Sequence, residues 1–174
     1  MKQVLITLGV LLLSMFGFYW ASNRNPIKID LGQTVTDQGI YFEVPEKLEM
    51  ETETDILLKA KYKSGKLVNY TINFSYDPAN IEILNVEVNK DVFDKKAEAE
   101  IDKDFGKVIV SGENVKNRNE IPEQDLILAT IKIKGLKKGG TMIYASRRPE
   151  TGIWENNKVV EGNLEMPNFK LNFL

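Results

Sequence analysis

A strict alternation of apolar and polar residues over 68–76 constrains the fold of this chain more than any other feature. Every second residue is apolar, and the residues between them are small and polar. These polar residues are Asn69, Thr71, Asn73 and Ser75. Successive side chains of a strand point to opposite faces, whereas a helix would distribute them around its circumference. The alternation therefore predicts a β-strand with one buried and one solvated face.

The same alternation recurs elsewhere in the chain, and turn-forming residues separate the runs. The alternating apolar positions are Ile56, Leu58, Ala60 and Tyr62; Ala97, Ala99 and Ile101; Val108 and Val110; Ile127, Ala129, Ile131 and Ile133; and Phe169, Leu171 and Phe173. Roughly eight to ten short strands at this spacing predict an all-β sandwich or barrel. Within this strand-rich part of the chain, a short helix is predicted at 92–96.

The parity of the apolar positions changes after a predicted turn at 77–80, which contains a proline at a favoured position. Ile81 and Ile83 are at odd positions, and the apolar residues from Leu84 onward are at even positions, which would point to the other face of a regular strand. A slip of one residue within a strand is typical of a β-bulge. Two separate short strands are the alternative.

Residues 4–21 form an almost wholly apolar segment, without a charge between Lys2 and Arg24. As a helix this segment would be about 27 Å long, which is enough to cross the hydrocarbon core of a bilayer. Tyr19 and Trp20 lie where interfacial aromatic residues anchor a span. Tyr19 is also a poor residue for the −3 position of a cleavage site. The pattern favours an uncleaved anchor, with a cleaved signal peptide as the alternative.

These features divide the chain into a hydrophobic signal-anchor helix at 1–22, a short polar linker at 23–26 and a folded domain at 27–174. Both interpretations of the N-terminal segment send the domain out of the cytoplasm. We therefore expect an extracytoplasmic domain held on a membrane, or a secreted domain if the segment is cleaved.

Composition argues against catalysis. The 174 residues include neither cysteine nor histidine, which removes disulfides, thiolate metal sites and the commonest general base. The net charge of −2 comes from interspersed charges, not from the basic stripe of a nucleic-acid binder. No phosphate-binding loop, nucleophile elbow or calcium-loop spacing is present. We expect a non-enzymatic domain without a cofactor or metal, in which Asp91, Asp94, Asp102 and Asp104 form turns.

Three segments, in order, resemble the cohesin family. The first, 65–84, contains a strand that ends in Tyr-Asp-Pro and is followed by a short β run. The second, 107–113, resembles the central strand of the family and its following loop. The third, 126–135, resembles a cohesin strand that contains Leu-Ala-Thr-Ile. The resemblance covers about 27–174 and implies an antiparallel, jelly-roll-like β-sandwich of about nine strands that binds dockerin modules through one sheet face, without enzyme activity.

The resemblance also implies which residues bind the partner. Asn69 falls where many cohesins place a recognition Asn, and Glu113 falls where some place a recognition Glu. Thr71 stands where the family often has Asp. Together with Asn73 and Ser75, these residues form the predicted partner-binding patch, and a plain solvated sheet face is the alternative. The partner is expected to be a separate extracytoplasmic protein, either dockerin-like or another surface protein.

Trp154 is the tryptophan outside the N-terminal segment, and it precedes a hairpin signal at 155–157. An exposed Trp154 could stack on a sugar ring, which makes a carbohydrate-binding module that recognises polysaccharide the alternative function. Packing over one end of the core is the favoured interpretation, because large aromatic residues mainly serve burial. A structural subunit of a surface assembly, associating through edge strands, is a further alternative.

Overall fold

The computed structural model describes residues 38–122 and 125–174. They form a two-sheet structure of eleven strands with one 3₁₀ helix at Arg118–Glu120. The strands are β1 (Gly39–Glu43), β2 (Glu53–Lys61), β3 (Lys66–Tyr76), β4 (Ile81–Val88), β5 (Lys96–Asp102), β6 (Lys107–Glu113), β7 (Leu126–Gly135), β8 (Gly139–Ala145), β9 (Glu150–Glu155), β10 (Lys158–Glu161) and β11 (Phe169–Phe173). The all-β prediction is confirmed.

The smaller sheet has four strands in the order β1-β2-β7-β4. The larger sheet has seven: β10-β9-β3-β6-β5 form one path, and β8 pairs with both β3 and β11. β8 and β9 lie along the same edge of β3, separated by 146–149. β10 and β11 pair with β9 and β8 and are separated by 162–168. The predicted number of about nine strands is recovered when each of these two interrupted strands is counted once.

One hydrophobic core lies between the sheets. Tyr70, Ile72 and Phe74 of β3 are buried in it, while the polar residues between them point outward and are half-buried. Phe74 meets Phe42 of β1 edge to face, with ring centroids 5.6 Å apart. Aromatic contacts of this kind stabilise a core beyond their buried area. The predicted buried and solvated faces of β3 are therefore confirmed.

Two bulges interrupt the smaller sheet. The register of β4 shifts between Ile83 and Asn85, which confirms the predicted bulge in a single continuous strand. A second shift, opposite the β2 residues 58–59, makes Leu128 and Ala129 of β7 both buried and leaves Ile127 37% exposed. The predicted burial of Ile127 is wrong, because a bulge within an uninterrupted apolar run leaves no polar residue to mark the change of face.

The predicted helical stretch at 92–96 is also wrong. The segment contains a turn, in which the backbone N–H of Phe93 donates to the carbonyl oxygen of Asn89 at 3.0 Å, and β5 begins at Lys96. Phe93 is completely buried and packs edge-on against Tyr70, with centroids 4.8 Å apart. This tertiary contact fixes the turn and outweighs the weak local preference for helix.

The predicted signal anchor at 1–22 and linker at 23–26 lie outside the described residues, as do the first residues of the predicted domain at 27–174. The part of the chain that the structure describes holds no helix with the length and apolarity needed to span a bilayer.

Candidate functional site

The outward-pointing residues of the seven-stranded sheet form a surface that we call the outer face of the larger sheet. Asn69, Thr71, Asn73 and Ser75 line its middle, because β3 is an inner strand with β6 on one side and β8 and β9 on the other. An inner strand is held by hydrogen bonds along both edges. The four predicted residues therefore sit on the most constrained part of this face.

Glu113 joins this row through the register between β3 and β6. It lies directly opposite Asn69, and directly opposite residues of an antiparallel pair point to the same face. Lys95, in the loop before β5, forms an ion pair with the carboxylate of Glu113. All five predicted partner-binding residues thus share one surface. Whether they bind a partner stays a prediction.

Gly152 of β9 determines where the Asn69 side chain lies. The two residues are direct neighbours across the β3–β9 pairing. A Cβ at position 152 would fall 2.6 Å from Asn69 Nδ2, which no side chain tolerates without displacement. The absence of a side chain at Gly152 therefore leaves the space that the Asn69 amide occupies beside β9.

Arg147 was missed by sequence reasoning and reaches onto the same face. It lies in the 146–149 interruption between β8 and β9. In the amide orientation that satisfies both groups, its Nε donates to the side-chain oxygen of Asn73 at 2.7 Å. Its guanidinium also pairs with Glu150, at 3.1 Å. The isolated basic residues of a loop give no sequence signal of this contact, which depends on the position of the strand break.

Exposed apolar residues flank the polar row. Ile109 of β6 lies opposite Asn73 and is 38% exposed, and Tyr144 of β8 lies opposite Ser75 and is 50% exposed. Val159 of β10 is 47% exposed. Sequence reasoning missed these residues because each belongs to an apolar run whose inner and outer members look alike. Apolar side chains among hydrogen-bonding groups are typical of protein-binding surfaces.

Trp154 lies at the predicted hairpin, but it is half-buried and points to the outer face, not into the core. The favoured prediction of core packing is therefore wrong, because the strand register directs the ring outward together with Gly152. The guanidinium carbon of Arg118 lies 4.8 Å from the ring centroid, in cation–π geometry. Arg118 thus occupies one side of the ring that a stacking sugar would need.

The outer face of the smaller sheet differs in its electrostatics. The ammonium of Lys59 pairs with Glu43 at 3.0 Å and with Asp125 at 3.1 Å. Further along the sheet, Lys132 and Lys134 pair with carboxylates from neighbouring segments. This sheet face satisfies much of its own charge, which is typical of a solvated surface.

The pKa values around Lys59 follow from these contacts. The hydrogen bond to Glu43 is the largest cause that raises the pKa of Lys59. The hydrogen bond from Tyr41 and the proximity of Lys59 hold the pKa of Asp125 below its usual range. The cluster therefore keeps opposite charges paired at neutral pH.

Two of the acidic residues predicted to form turns accept hydrogen bonds from the backbone. Asp94 accepts a hydrogen bond from the backbone N–H of Val115 at 3.0 Å, and Asp102 accepts one from Phe105 at 3.1 Å. Within 38–122 and 125–174, no group of three or more potential ligand residues converges on one point. The bond to Asp102 is a turn contact of the predicted kind, whereas the bond to Asp94 joins two loops that are distant in the sequence.

Neither a family model nor a curated protein sequence matches the chain. Several solved structures do. The sixth cohesin of scaffoldin B from Acetivibrio cellulolyticus, in complex with a Cel5 dockerin, has a TM-score of 0.66 at 12% identity, covering 80% of this chain and 100% of that one. The seventh ScaB type I cohesin from Pseudobacteroides cellulosolvens has a TM-score of 0.64 at 14% identity, covering 79% and 92%.

A non-cellulosomal cohesin from the hyperthermophilic archaeon Archaeoglobus fulgidus has a TM-score of 0.56 at 9% identity, covering 80% of this chain and 92% of that one. At such low identity these likenesses establish the fold and nothing further. The predicted cohesin-like fold is therefore confirmed.

Proposed function

We propose that this chain is a non-catalytic recognition module that binds a separate protein through the outer face of the larger sheet. The observation that carries the proposal is the contrast between the two sheets. The larger sheet brings the row from Asn69 to Ser75 beside three exposed apolar residues and carries ion pairs at Glu113 and Glu150, whereas the smaller sheet exposes Ile127 among ion pairs that join its strands. A dockerin-like module is the first partner class to test, because one cohesin of this fold was solved with a dockerin.

The proposed mechanism is recognition by a preformed surface. β3 is paired with other strands along both edges. Gly152 leaves space for the amide of Asn69, and Arg147 donates a hydrogen bond to the amide of Asn73. Side chains that are already ordered lose little conformational entropy on binding. Ile109 offers an apolar contact beside them, where a partner side chain excludes water from the hydrogen bonds.

The location of the module is part of the proposal. Residues 4–21 would hold it on the outer side of a membrane, so that its partner is another extracytoplasmic protein. The support is the length of the apolar segment and its interfacial aromatic residues.

Two matched substitutions test the choice of face. Thr71 and Thr130 are half-buried, outward-pointing residues on inner strands of the two sheets. The full-length wild-type, Thr71→Arg and Thr130→Arg chains are immobilised and exposed to purified dockerin modules and to solubilised surface proteins. A bulky charge in the middle of a flat interface should weaken the affinity by about 100-fold or more, and the same charge on the opposite sheet should leave it unchanged.

The proposal fails if Thr130→Arg abolishes binding and Thr71→Arg does not, or if no partner binds in a face-dependent manner. Circular dichroism and thermal unfolding check that both variants remain folded. Retention on insoluble polysaccharide that Trp154→Ala removes would instead support the carbohydrate-binding alternative.

A further inference from the structure

The edge strand β5 is paired along only one side. It pairs with β6 over seven consecutive residues without a register shift, and in the described part no strand pairs with its other side. Such an edge presents unpaired N–H and C=O groups that can template a further strand.

Other edges of the two sheets carry recognisable protection. The N–H of Ile40 in β1 donates to the carbonyl oxygen of Glu165 at 2.7 Å, which ties that edge to the 162–168 segment. β4 is bulged after Ile83, β10 has four residues, and Leu174, after β11, bonds to Leu48. Short, bulged or covered edges do not recruit strands. β5 lacks all three of these devices.

The inner side of β5 is incompletely covered. Ala97, Ala99 and Ile101 point inward but are only half-buried, whereas Val108 and Val110 on the adjacent β6 are completely buried. An additional strand would place its own inward side chains over this apolar rim. Removing that surface from water would favour the pairing.

Charge determines which strand this edge accepts. Glu98 and Glu100 point outward and are exposed; Glu98 pairs with Lys96 on the same strand, and Glu100 makes no ion pair within the described residues. A second copy paired antiparallel about Ala99 would set Glu98 opposite Glu100 at the centre and Lys96 opposite Asp102 at the ends. Like charges in that position are destabilising, whereas opposite charges stabilise. The two outward glutamates at the centre of β5 therefore favour an incoming strand with basic residues opposite them.

The geometry points to β5 as a β-augmentation site for an extended segment of another protein. In that segment, apolar β-branched residues point inward over Ala97, Ala99 and Ile101, and Lys or Arg residues lie opposite Glu98 and Glu100. Main-chain hydrogen bonds supply affinity in this mode, and the alternate side chains supply specificity. The site is the free main-chain edge of β5; Glu98 and Glu100 also belong to the outer face of the larger sheet, but strand pairing at this edge does not depend on the function proposed for that face.

Three synthetic nonapeptides, acetylated and amidated, test the assignment on the full-length chain. The first alternates Lys and Val, the second has the same composition without alternation, and the third alternates Glu and Val. The first should bind about tenfold more tightly than either control, as measured by fluorescence anisotropy of labelled peptides. It should also slow amide hydrogen exchange within β5.

Charge reversal provides the matched variants. The double variant Glu98→Lys and Glu100→Lys should prefer the Glu–Val peptide, whereas Glu87→Lys, at an exposed position of β4, should keep the wild-type preference. The inference is overturned if the three peptides bind alike or not at all at millimolar concentration. It is equally overturned if amide exchange slows elsewhere than in β5. The same holds if the double variant has the circular dichroism of the wild type and still prefers the Lys–Val peptide.

Discussion

At the scale of single residues, Asp125 shows how the smaller sheet uses charge locally. The hydroxyl of Tyr41 donates to one carboxylate oxygen, and Lys59 Nζ lies 3.1 Å from the other. Asp125 also has a φ of 53°, a conformation that Asp and Asn tolerate better than most residues. Replacing Asp125 by Asn therefore removes the charge without adding backbone strain.

We predict that Asp125→Asn lowers the free energy of unfolding at pH 7 by about 0.5–1 kcal/mol, a small value because the side chain is half exposed and solvent screens the pair. The folded state lowers the pKa of Asp125, so its contribution is present above the unfolded value of about 3.9. It is lost as the pH falls through the lower, folded-state pKa. Urea unfolding of wild type and variant should therefore differ at pH 7 and converge in acid.

Asp55→Asn, at an exposed position of β2, serves as the control. Its free energy of unfolding should not differ from that of the wild type in a way that disappears as the pH falls. A difference between wild type and Asp125→Asn that persists unchanged at pH 2 would contradict the electrostatic explanation and indicate a packing role for the carboxyl group.

At the scale of elements, the β9–β10 hairpin depends on its two turn residues. Glu155 and Lys158 form the closing pair, and Asn156 and Asn157 between them have φ values of 48° and 63°. Two central residues with positive φ are the mark of a type I′ turn, whose twist matches that of the flanking strands. The turn holds Trp154 and its cross-strand neighbour on the outer face.

We predict that Asn157→Gly leaves the thermal midpoint unchanged or raises it slightly, because glycine adopts positive φ without steric cost. Asn157→Val should lower the free energy of unfolding by about 1–2 kcal/mol, since its branched Cβ disfavours the left-handed conformation. Asn172→Val, at an exposed position of β11, is the matched control and should be tolerated, because β-branched residues suit strands. Equal midpoints for the two valine variants would disprove the turn assignment.

At the scale of the whole molecule, the sequence predicts well which face of a strand a residue lies on. It predicts poorly which residues of other strands lie beside it. β3 alternates strictly from Val68 to Tyr76, so the inner and outer faces of this part could be predicted without the structure. The run at 126–129 is apolar throughout, so nothing marked the bulge that exposes Ile127. Alternation depends only on local geometry, whereas a bulge depends on the strand across the sheet.

The residues of the candidate site differ in the same way in how far the sequence predicts them. Asn69 and Glu113 were predicted from the family resemblance, and the register brings them opposite each other. Arg147, Gly152 and Ile109 were not predicted, because each acquires its place through a pairing between distant segments. Non-local pairings of this kind are not encoded in any single stretch of sequence.

The hydrophobic segment at 4–21 carries the last prediction, which concerns where the whole molecule resides. We expect the full-length chain to sediment with membranes, to resist a high-salt wash and to retain its intact mass of 19.8 kDa. A run of about 18 apolar residues suffices to span the hydrocarbon core, and salt does not weaken hydrophobic insertion. A chain without residues 1–22 should stay in the supernatant and keep the β-rich circular dichroism of the full-length protein.

Arginine in the middle of the segment provides the decisive comparison. Each Arg at the centre of a spanning helix costs about 2.5–3.5 kcal/mol on insertion scales, so the double variant Leu11→Arg and Leu12→Arg should leave the membrane fraction. Lys2→Arg, which keeps the charge outside the span, should remain with the membrane. Recovery of a soluble wild-type chain that begins at Ser22 would show instead that the segment is a cleaved signal, because the mass loss identifies the cut directly.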